Sequence, residues 1–288
     1  MERFDRNVRF FGKEGQDRLR RASVVVIGAG GLGTHVVQQL AYLGVGQIAV
    51  VDHEDLATSN KNRYVSAYAG DPAQGSRKVD LCRRMVRLID PGIEVLPVFA
   101  QLRSHEAFDA IKSAAYTFGC LDNDGARVVL TELCSAYKRP YFDLATEIVP
   151  GAQPLYGGRV FASWAGRGCP VCYGLLDLVE ARQDLESPAA RADRANLYGL
   201  QEGDLANVGP SVVSINGVVA SLAVTEFAVA VTRLREPHRL LTYRGDLGRV
   251  TLSRDEPAAD CYYCREVYGL GDRAEVERYI LSLASEIH

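Results

Sequence analysis

Ser23-Val24-Val25-Val26-Ile27-Gly28-Ala29-Gly30-Gly31-Leu32-Gly33 joins a short apolar run to a glycine-rich turn, and 19 residues past its last glycine Asp52 closes a second apolar run, Ile48-Ala49-Val50-Val51. The order is strand, turn, helix, strand, as in a nucleotide-binding unit. Gly28, Gly30, Gly31 and Gly33 let the backbone approach a phosphate at a helix N-terminus. Unpaired N–H groups and the helix dipole favour an anion there, and the acid ending the second strand holds ribose hydroxyls. A dinucleotide site would be the first reading. Against it, Ser59-Asn60-Lys61-Asn62-Arg63 and then Arg77-Lys78 follow at once. Hydride transfer does not need so much positive charge beside the nucleotide, whereas splitting a triphosphate does. An NAD(P) oxidoreductase is therefore a distant alternative.

Outward from this unit the chain alternates. Strand patterns near 23–27, 47–51, 93–98, 115–119 and 141–144 are separated by helical patterns near 31–43, 76–89, 104–113 and 125–138. The expected fold is α/β and Rossmann-like, a mostly parallel twisted sheet with helices on both faces. Right-handed crossovers would bring Gly28, Asp52 and Asp122 to one carboxyl edge. The sequence divides into an N-terminal arm or helix (1–22), a nucleotide-binding core (23–150), a smaller antiparallel part (151–264) and a C-terminal helix (265–288). Within the third part lie strand patterns near 151–163 and 239–252, a polar crossover loop at 174–207 and an apolar helix near 211–233.

With 288 residues, 47% hydrophobic and 24% charged, the chain can bury a sizeable core. A formal net charge of -3 gives no broad attraction for nucleic acid or an anionic membrane, so neither is expected as a partner. No uninterrupted apolar run approaches the roughly 20 residues that span a bilayer, and Met1-Glu2-Arg3-Phe4-Asp5-Arg6 has no signal-peptide core. A cytoplasmic protein is expected.

The seven cysteines are not distributed at random. Cys169-Pro170-Val171-Cys172 and Cys261-Tyr262-Tyr263-Cys264 are two C-x-x-C pairs, and each can turn two thiolates toward one point. Four thiolates satisfy tetrahedral Zn²⁺ and leave no open position, so the expected role is structural: a staple between the two segments. Two unrelated cysteine pairs are the plain alternative. Cys82, Cys120 and Cys134 lie in apolar surroundings and read as core residues.

These residues together resemble the ThiF/MoeB-type adenylyltransferases, within the ubiquitin-activating-enzyme-like superfamily that activates ubiquitin-like and sulfur-carrier proteins. The resemblance runs from about residue 3 to 264. It is carried by Arg3-Phe4-Asp5-Arg6-Asn7, Glu14 to Leu19, the glycine turn, Asp52-His53-Glu54-Asp55, Ser59-Asn60 with Arg63, Lys78, Asp122-Asn123 with Arg127, Gly209-Pro210 and the cysteine pairs. It implies ATP as substrate, catalytic Mg²⁺, structural Zn²⁺ and a homodimer. The implied partner is a ubiquitin-like or sulfur-carrier protein ending in glycine, whose carboxylate attacks the α-phosphate and expels pyrophosphate. On that resemblance Arg63 and Lys78 hold the phosphates, Asp122 coordinates Mg²⁺, Asn60 and Asn123 support the nucleotide, and Arg6 reaches into the partner subunit's site. The plain alternatives are a strand-end cap for Asp52, a helix cap or turn for Asp122 with Asp124 free to take over the cap, surface charges for Arg63 and Lys78, and a simple ion pair for Arg127. Other functions consistent with the motifs are adenylation of a tRNA-nucleoside or peptide carboxylate, or an inert adaptor that binds a ubiquitin-like protein.

Relatives that form a thioester carry the receiving cysteine between the knuckles, shortly before the glycine-proline. Here no cysteine occurs between Cys172 and Cys261. The simpler expectation is an enzyme that stops at the acyl-adenylate; the other is that Cys82, Cys120 or Cys134 substitutes. Tyr64 also stands where relatives commonly have glutamine, which bears on substrate placement.

Overall fold

β1 (Ser23–Ile27) is buried along Val24–Ile27, as a strand must be when helices cover both faces of its sheet. The computed structural model describes residues 2–72, 75–186 and 209–280. After the turn, α2 (Gly31–Leu43) returns the chain to β2 (Gln47–Asp52), which pairs in parallel with β1. α3 (Lys78–Ile89) leads to β3 (Glu94–Phe99) at the sheet edge. The direction then reverses: α4 (His105–Ser113) carries the chain back across to β4 (Tyr116–Gly119) on the other side of β1. α5 (Asp124–Ala136) and β5 (Tyr141–Val149) continue outward.

The strand order is β3-β2-β1-β4-β5-β6-β7-β8. The last three, β6 (Leu155–Ser163), β7 (Leu240–Arg244) and β8 (Arg249–Leu252), are antiparallel, as the short strand patterns predict. They extend the same sheet, because the long β5 pairs in parallel with β4 through its first residues and antiparallel with β6 along its whole length.

One face is covered by α2, α3 and α7 (Val213–Val231), with Phe118, Phe142 and Phe227 packed ring against ring. Phe227 is fully buried, so truncation to alanine would cost about 3–5 kcal/mol. By length and composition α7 could cross a membrane. Here its Val219, Ala220, Ala223, Val224 and Phe227 fill the core instead. α4, α5 and the segment after Cys264 cover the other face, and α1 (Asp5–Arg21), interrupted at Gly12, packs beside α7.

The expected C-terminal helix is not formed in the described residues. Gly271–Ala274 and Val276–Tyr279 are single 3₁₀ turns, broken by positive φ at Gly269, Gly271 and Glu275. What fixes this segment is a buried acid: Glu132 on α5 takes the Arg278 guanidinium and hydrogen bonds from Tyr279 at 2.7 Å and Tyr262 at 3.2 Å. Residues 281–288 and 187–208 lie outside the described residues, so part of the expected helix and most of the crossover loop are not assigned. Of that loop, α6 (Leu178–Leu185) is described.

Candidate active site at the carboxyl edge

The reversal of direction between β2 and β4 leaves a crevice at the carboxyl end of β1, where open α/β sheets bind ligands. The glycine turn lines it. Gly28 has φ +89°, and a Cβ there would lie 2.5 Å from the Cys120 carbonyl oxygen on the neighbouring strand, so neither the backbone nor the space admits a side chain. Gly31 is enclosed from the other side: its Cβ would meet Asn216 Nδ2 at 2.7 Å and Arg63 Cγ at 3.0 Å. Gly30, by contrast, faces open space, and the N-terminus of α2 opens beside it.

Asp52 binds the turn directly. Its carboxylate accepts from Ala29 N at 2.7 Å and from Glu54 N at 2.8 Å, so it serves as the strand-end cap at the edge of this crevice. Asn60 turns its Oδ1 to Ala57 N at 3.0 Å, closing the 3₁₀ turn Thr58–Asn60 that precedes Arg63. The Arg63 guanidinium donates to Ser59 O at 2.7 Å and Asn62 Oδ1 at 3.1 Å. Lys78, the first residue of α3, is buried, and its ammonium is paired with Glu54. That hydrogen bond holds the Glu54 carboxyl below its ordinary range. Tyr64 turns into the core, where its hydroxyl donates to Lys78 O at 2.8 Å. It braces the start of α3.

The cap of α5 differs from both expectations. Asn123 Oδ1 accepts from Ala126 N at 2.8 Å, and Asn123 Nδ2 donates to Asp122 Oδ1 at 3.2 Å. Asp122 is thus exposed and released from capping, while Asn123 supports it. Asp124 instead accepts from Asp177 N at 2.7 Å, which docks α6 against the start of α5.

Behind Asp122 lies a network in which Arg127 makes the ion pair given above as its plain alternative, with partners that sequence reasoning missed. Arg127 is buried and bidentate to Asp143, at 2.8 and 2.9 Å, and also donates to Leu121 O and, at 3.1 Å, to Leu144 O. Tyr141 and Arg159 complete Asp143, and Arg159 reaches Leu175 O at 3.0 Å, just past the first cysteine knuckle. An acid within the apolar run Tyr141-Phe142-Asp143-Leu144 is the signal that required a buried cation. Asn216 was also missed. It is buried at the start of α7, donates to Ser211 Oγ at 3.1 Å and accepts from Thr146 at 3.2 Å, so α7 is tied to β5 with the Asn216 amide lying against Gly31.

Arg6 is exposed on α1, and no hydrogen bond or ion pair links it to another candidate among the described residues.

The four knuckle cysteines converge. Their Sγ atoms lie within 4.8 Å of one another, with Cys169–Cys261 at 3.6 Å and Cys172–Cys264 at 3.8 Å. Four sulfurs at about 2.3 Å from a central Zn²⁺ would be separated by about 3.8 Å, so the donor set fits a closed tetrahedral site. Cys169 N also donates to Cys172 Sγ at 3.2 Å, the local turn that directs both sulfurs inward. Hydrogen bonding from Cys169 holds the Cys172 thiol well below its ordinary range. The remaining thiols behave oppositely. Burial pushes Cys82 up to about 11 and Cys134 up to about 12, and raises Cys120 further.

The sequence profile of the ThiF family matches residues 4–263. The chain belongs to the ThiF family. Family relatives include the vegetative HesA protein of Trichormus variabilis, 30% identical over 164 residues, covering 54% of this chain and 61% of that protein. The molybdopterin-synthase adenylyltransferase of Salmonella typhimurium is 34% identical over 161 residues, covering 55% of this chain and 64% of that protein. The adenylyltransferase and sulfurtransferase MOCS3 of Bos taurus is 26% identical and covers 96% of this chain and 55% of itself. The chain thus spans between about half and two thirds of these relatives' length. Among solved structures, E. coli MccB with AMPCPP and MccA shares the fold, with TM-score 0.68, 19% identity and coverage of 91% of this chain and 74% of that one.

Proposed function

We propose that this chain is an ATP-dependent adenylyltransferase that activates the C-terminal carboxylate, ending in glycine, of a small ubiquitin-like or sulfur-carrier protein. The observation that carries the reading is convergence. The Arg63 stem lies over Gly31, Lys78 stands at the start of α3 beside the end of β2, and Asp122 follows the strand against which Gly28 packs. Relatives named as adenylyltransferases support it.

A carboxylate oxygen bonds to the α-phosphorus, the bond to the bridging oxygen breaks, and pyrophosphate leaves with the electron pair. Negative charge grows on the phosphates in that step. The cations Arg63 and Lys78 are fixed by Ser59 O and Glu54 before the substrate arrives, which removes reorganisation from the barrier. Asp122 is the carboxylate for Mg²⁺, which would neutralise phosphate charge. Cys169, Cys172, Cys261 and Cys264 would hold a structural Zn²⁺. Arg6 would act across a homodimer. With Cys82, Cys120 and Cys134 protonated at neutral pH, the product is handed on as the acyl-adenylate.

Exchange of labelled pyrophosphate into ATP tests this, with glycine-terminated carriers and with short peptides as separate arms. Carrier-dependent exchange should fall by about 100-fold or more in Asp122→Ala. No exchange with any glycine-terminated carrier would overturn the substrate, and exchange with peptides alone would move the assignment to a peptide carboxylate.

A further inference from the structure

At the opposite end of β1 and β4 from the glycine turn, the chain forms an open-mouthed cavity of about 730 Å³, with Arg21, Arg233 and Arg235 exposed at its wall. Ala22 and Ala115, which precede the two strands, lie in its wall, so about 20 Å of strand separates it from the nucleotide crevice. The size is that of a small-molecule site. Its wall combines two kinds of group.

The first is aromatic. Tyr116 and Trp164 lie near-parallel, 24° apart with ring centroids at 6.0 Å, and Phe227 fixes Tyr116 edge-on from behind at 5.2 Å. The small neighbours Ala22, Ala115 and Ala230 leave room in front of these rings.

The second is cationic. Arg18, Arg21, Arg233 and Arg235 all line the space. Two of them are occupied by the fold: Arg18 donates to Thr232 O at 2.9 Å and pairs with Glu14, and Arg235 binds Glu226 through both nitrogens at 2.7 Å. The one acid in the wall, Glu236, is taken by Arg167 at 2.6 Å. Among the described residues no carboxylate pairs with Arg21 or Arg233. Two guanidiniums are left facing one aromatic-walled cavity with no counter-ion.

Arg233 carries a further mark. It follows the last residues of α7 with φ +63°, and its own N–H and that of Leu234 close the helix on Ala230 O and Val229 O. This left-handed position ordinarily takes glycine or asparagine, and a longer side chain there costs about 1–2 kcal/mol. An arginine stands where the backbone favours glycine.

From the free guanidinium pair, the aromatic wall and the strained arginine, we infer that this cavity binds a small organic anion with a flat aromatic body and one phosphate or carboxylate group. The anion would bridge Arg21 and Arg233, and the ring would lie against Tyr116 and Trp164. The site is separate from the adenylation crevice and does not depend on its assignment.

Trp164 is the only tryptophan in the chain, so its fluorescence reports on this cavity alone. Phenyl phosphate, phenol and inorganic phosphate should be titrated into the full chain. A saturable change with phenyl phosphate, at least about tenfold tighter than with either fragment, is the expected result. The binding should be lost in Arg21→Glu/Arg233→Glu and retained in Arg233→Lys with Arg21 intact, with circular dichroism and pyrophosphate exchange unchanged in both. Arg233→Gly should be more stable than the parent and bind at least about tenfold more weakly. Equal responses to all three probes, no saturable response, or a response that follows protein concentration because a second copy seals the mouth would each overturn the inference.

Discussion

Lys78 is held, almost wholly buried, by a carboxylate that is itself mostly in water: the lysine side chain is 6% exposed and that of Glu54 57% exposed. A buried ammonium needs a counter-charge, but an exposed one is readily exchanged. The pair therefore keeps the Lys78 ammonium oriented, and on the proposed function a phosphate would displace Glu54. Glu54→Gln should bind ATP about three- to tenfold more tightly by calorimetry, since the competitor is gone, while Lys78→Ala should lose about 100-fold or more in pyrophosphate exchange. Weaker ATP binding by Glu54→Gln would mean that the carboxylate serves the nucleotide.

Gly31 is the point where α7, the glycine turn and Arg63, the arginine proposed to hold phosphate, meet. A methyl group there would strike Asn216 Nδ2 at 2.7 Å, which is anchored by Ser211 and Thr146, and then the methylene stem of Arg63 at 3.0 Å. Arg63 should give way. Gly31→Ala is expected to reduce exchange by about tenfold or more through misplaced Arg63, and adding Asn216→Ala should restore part of it by opening the other side. Additive losses in the double variant would count against this coupling.

The glycine turn, the strand alternation and the paired cysteines were legible because each rests on local spacing. So was the placing of Asp52 and Asp122 on one edge, which follows from crossover handedness. What was not legible depends on residues far apart in the chain. The Arg127–Asp143 pair could be suspected from an acid in an apolar strand, but its partner is fixed only by the β4–β5 register. Asn216 is a lone amide in a long apolar helix until α7 is laid against α2. Over the described residues 267–280 the expected terminal helix gives way to 3₁₀ turns, with Glu132 binding residues 278–279 and Gly269 and Gly271 supplying positive φ.

Asp143 is fully buried and satisfied by Arg127, Tyr141 and Arg159. Removing one member leaves an uncompensated charge, so Asp143→Ala should cost about 3–5 kcal/mol in denaturant unfolding. Arg127→Met/Asp143→Leu should recover much of that stability. Exchange activity should stay low in the paired variant, because Arg127 no longer holds Leu121 O beside Asp122. Recovery of both together would reduce the network to a packing element.

The knuckle sulfurs join the chain after β6 to the segment after β8. Metal analysis should give about one Zn²⁺ per chain. Chelation or Cys172→Ser should lower the unfolding midpoint and free the 261–280 segment, read as faster amide exchange at Val267 and Val276. A chain that keeps its midpoint with no metal detected would refute the staple.

The Cys82 thiol is fully buried, touching Tyr64 and Ser66, and burial raises it from an ordinary 9.0 to about 11. The folded state disfavours the thiolate, so its contribution is intact below about pH 9 and is lost as the pH rises through 11. That loss is on the order of 2–3 kcal/mol. The parent should therefore lose stability across this alkaline window more steeply than Cys82→Ser, in circular dichroism melts taken at successive pH values. At neutral pH the same thiol, with Cys120 and Cys134, should resist alkylation in the folded, metal-loaded chain. Incubation with ATP and a carrier should give no hydroxylamine-sensitive conjugate. A conjugate lost in Cys120→Ala, or in any other single cysteine variant, would show that a thiol protonated at rest is activated during turnover and that the acyl-adenylate is not the last enzyme-bound species.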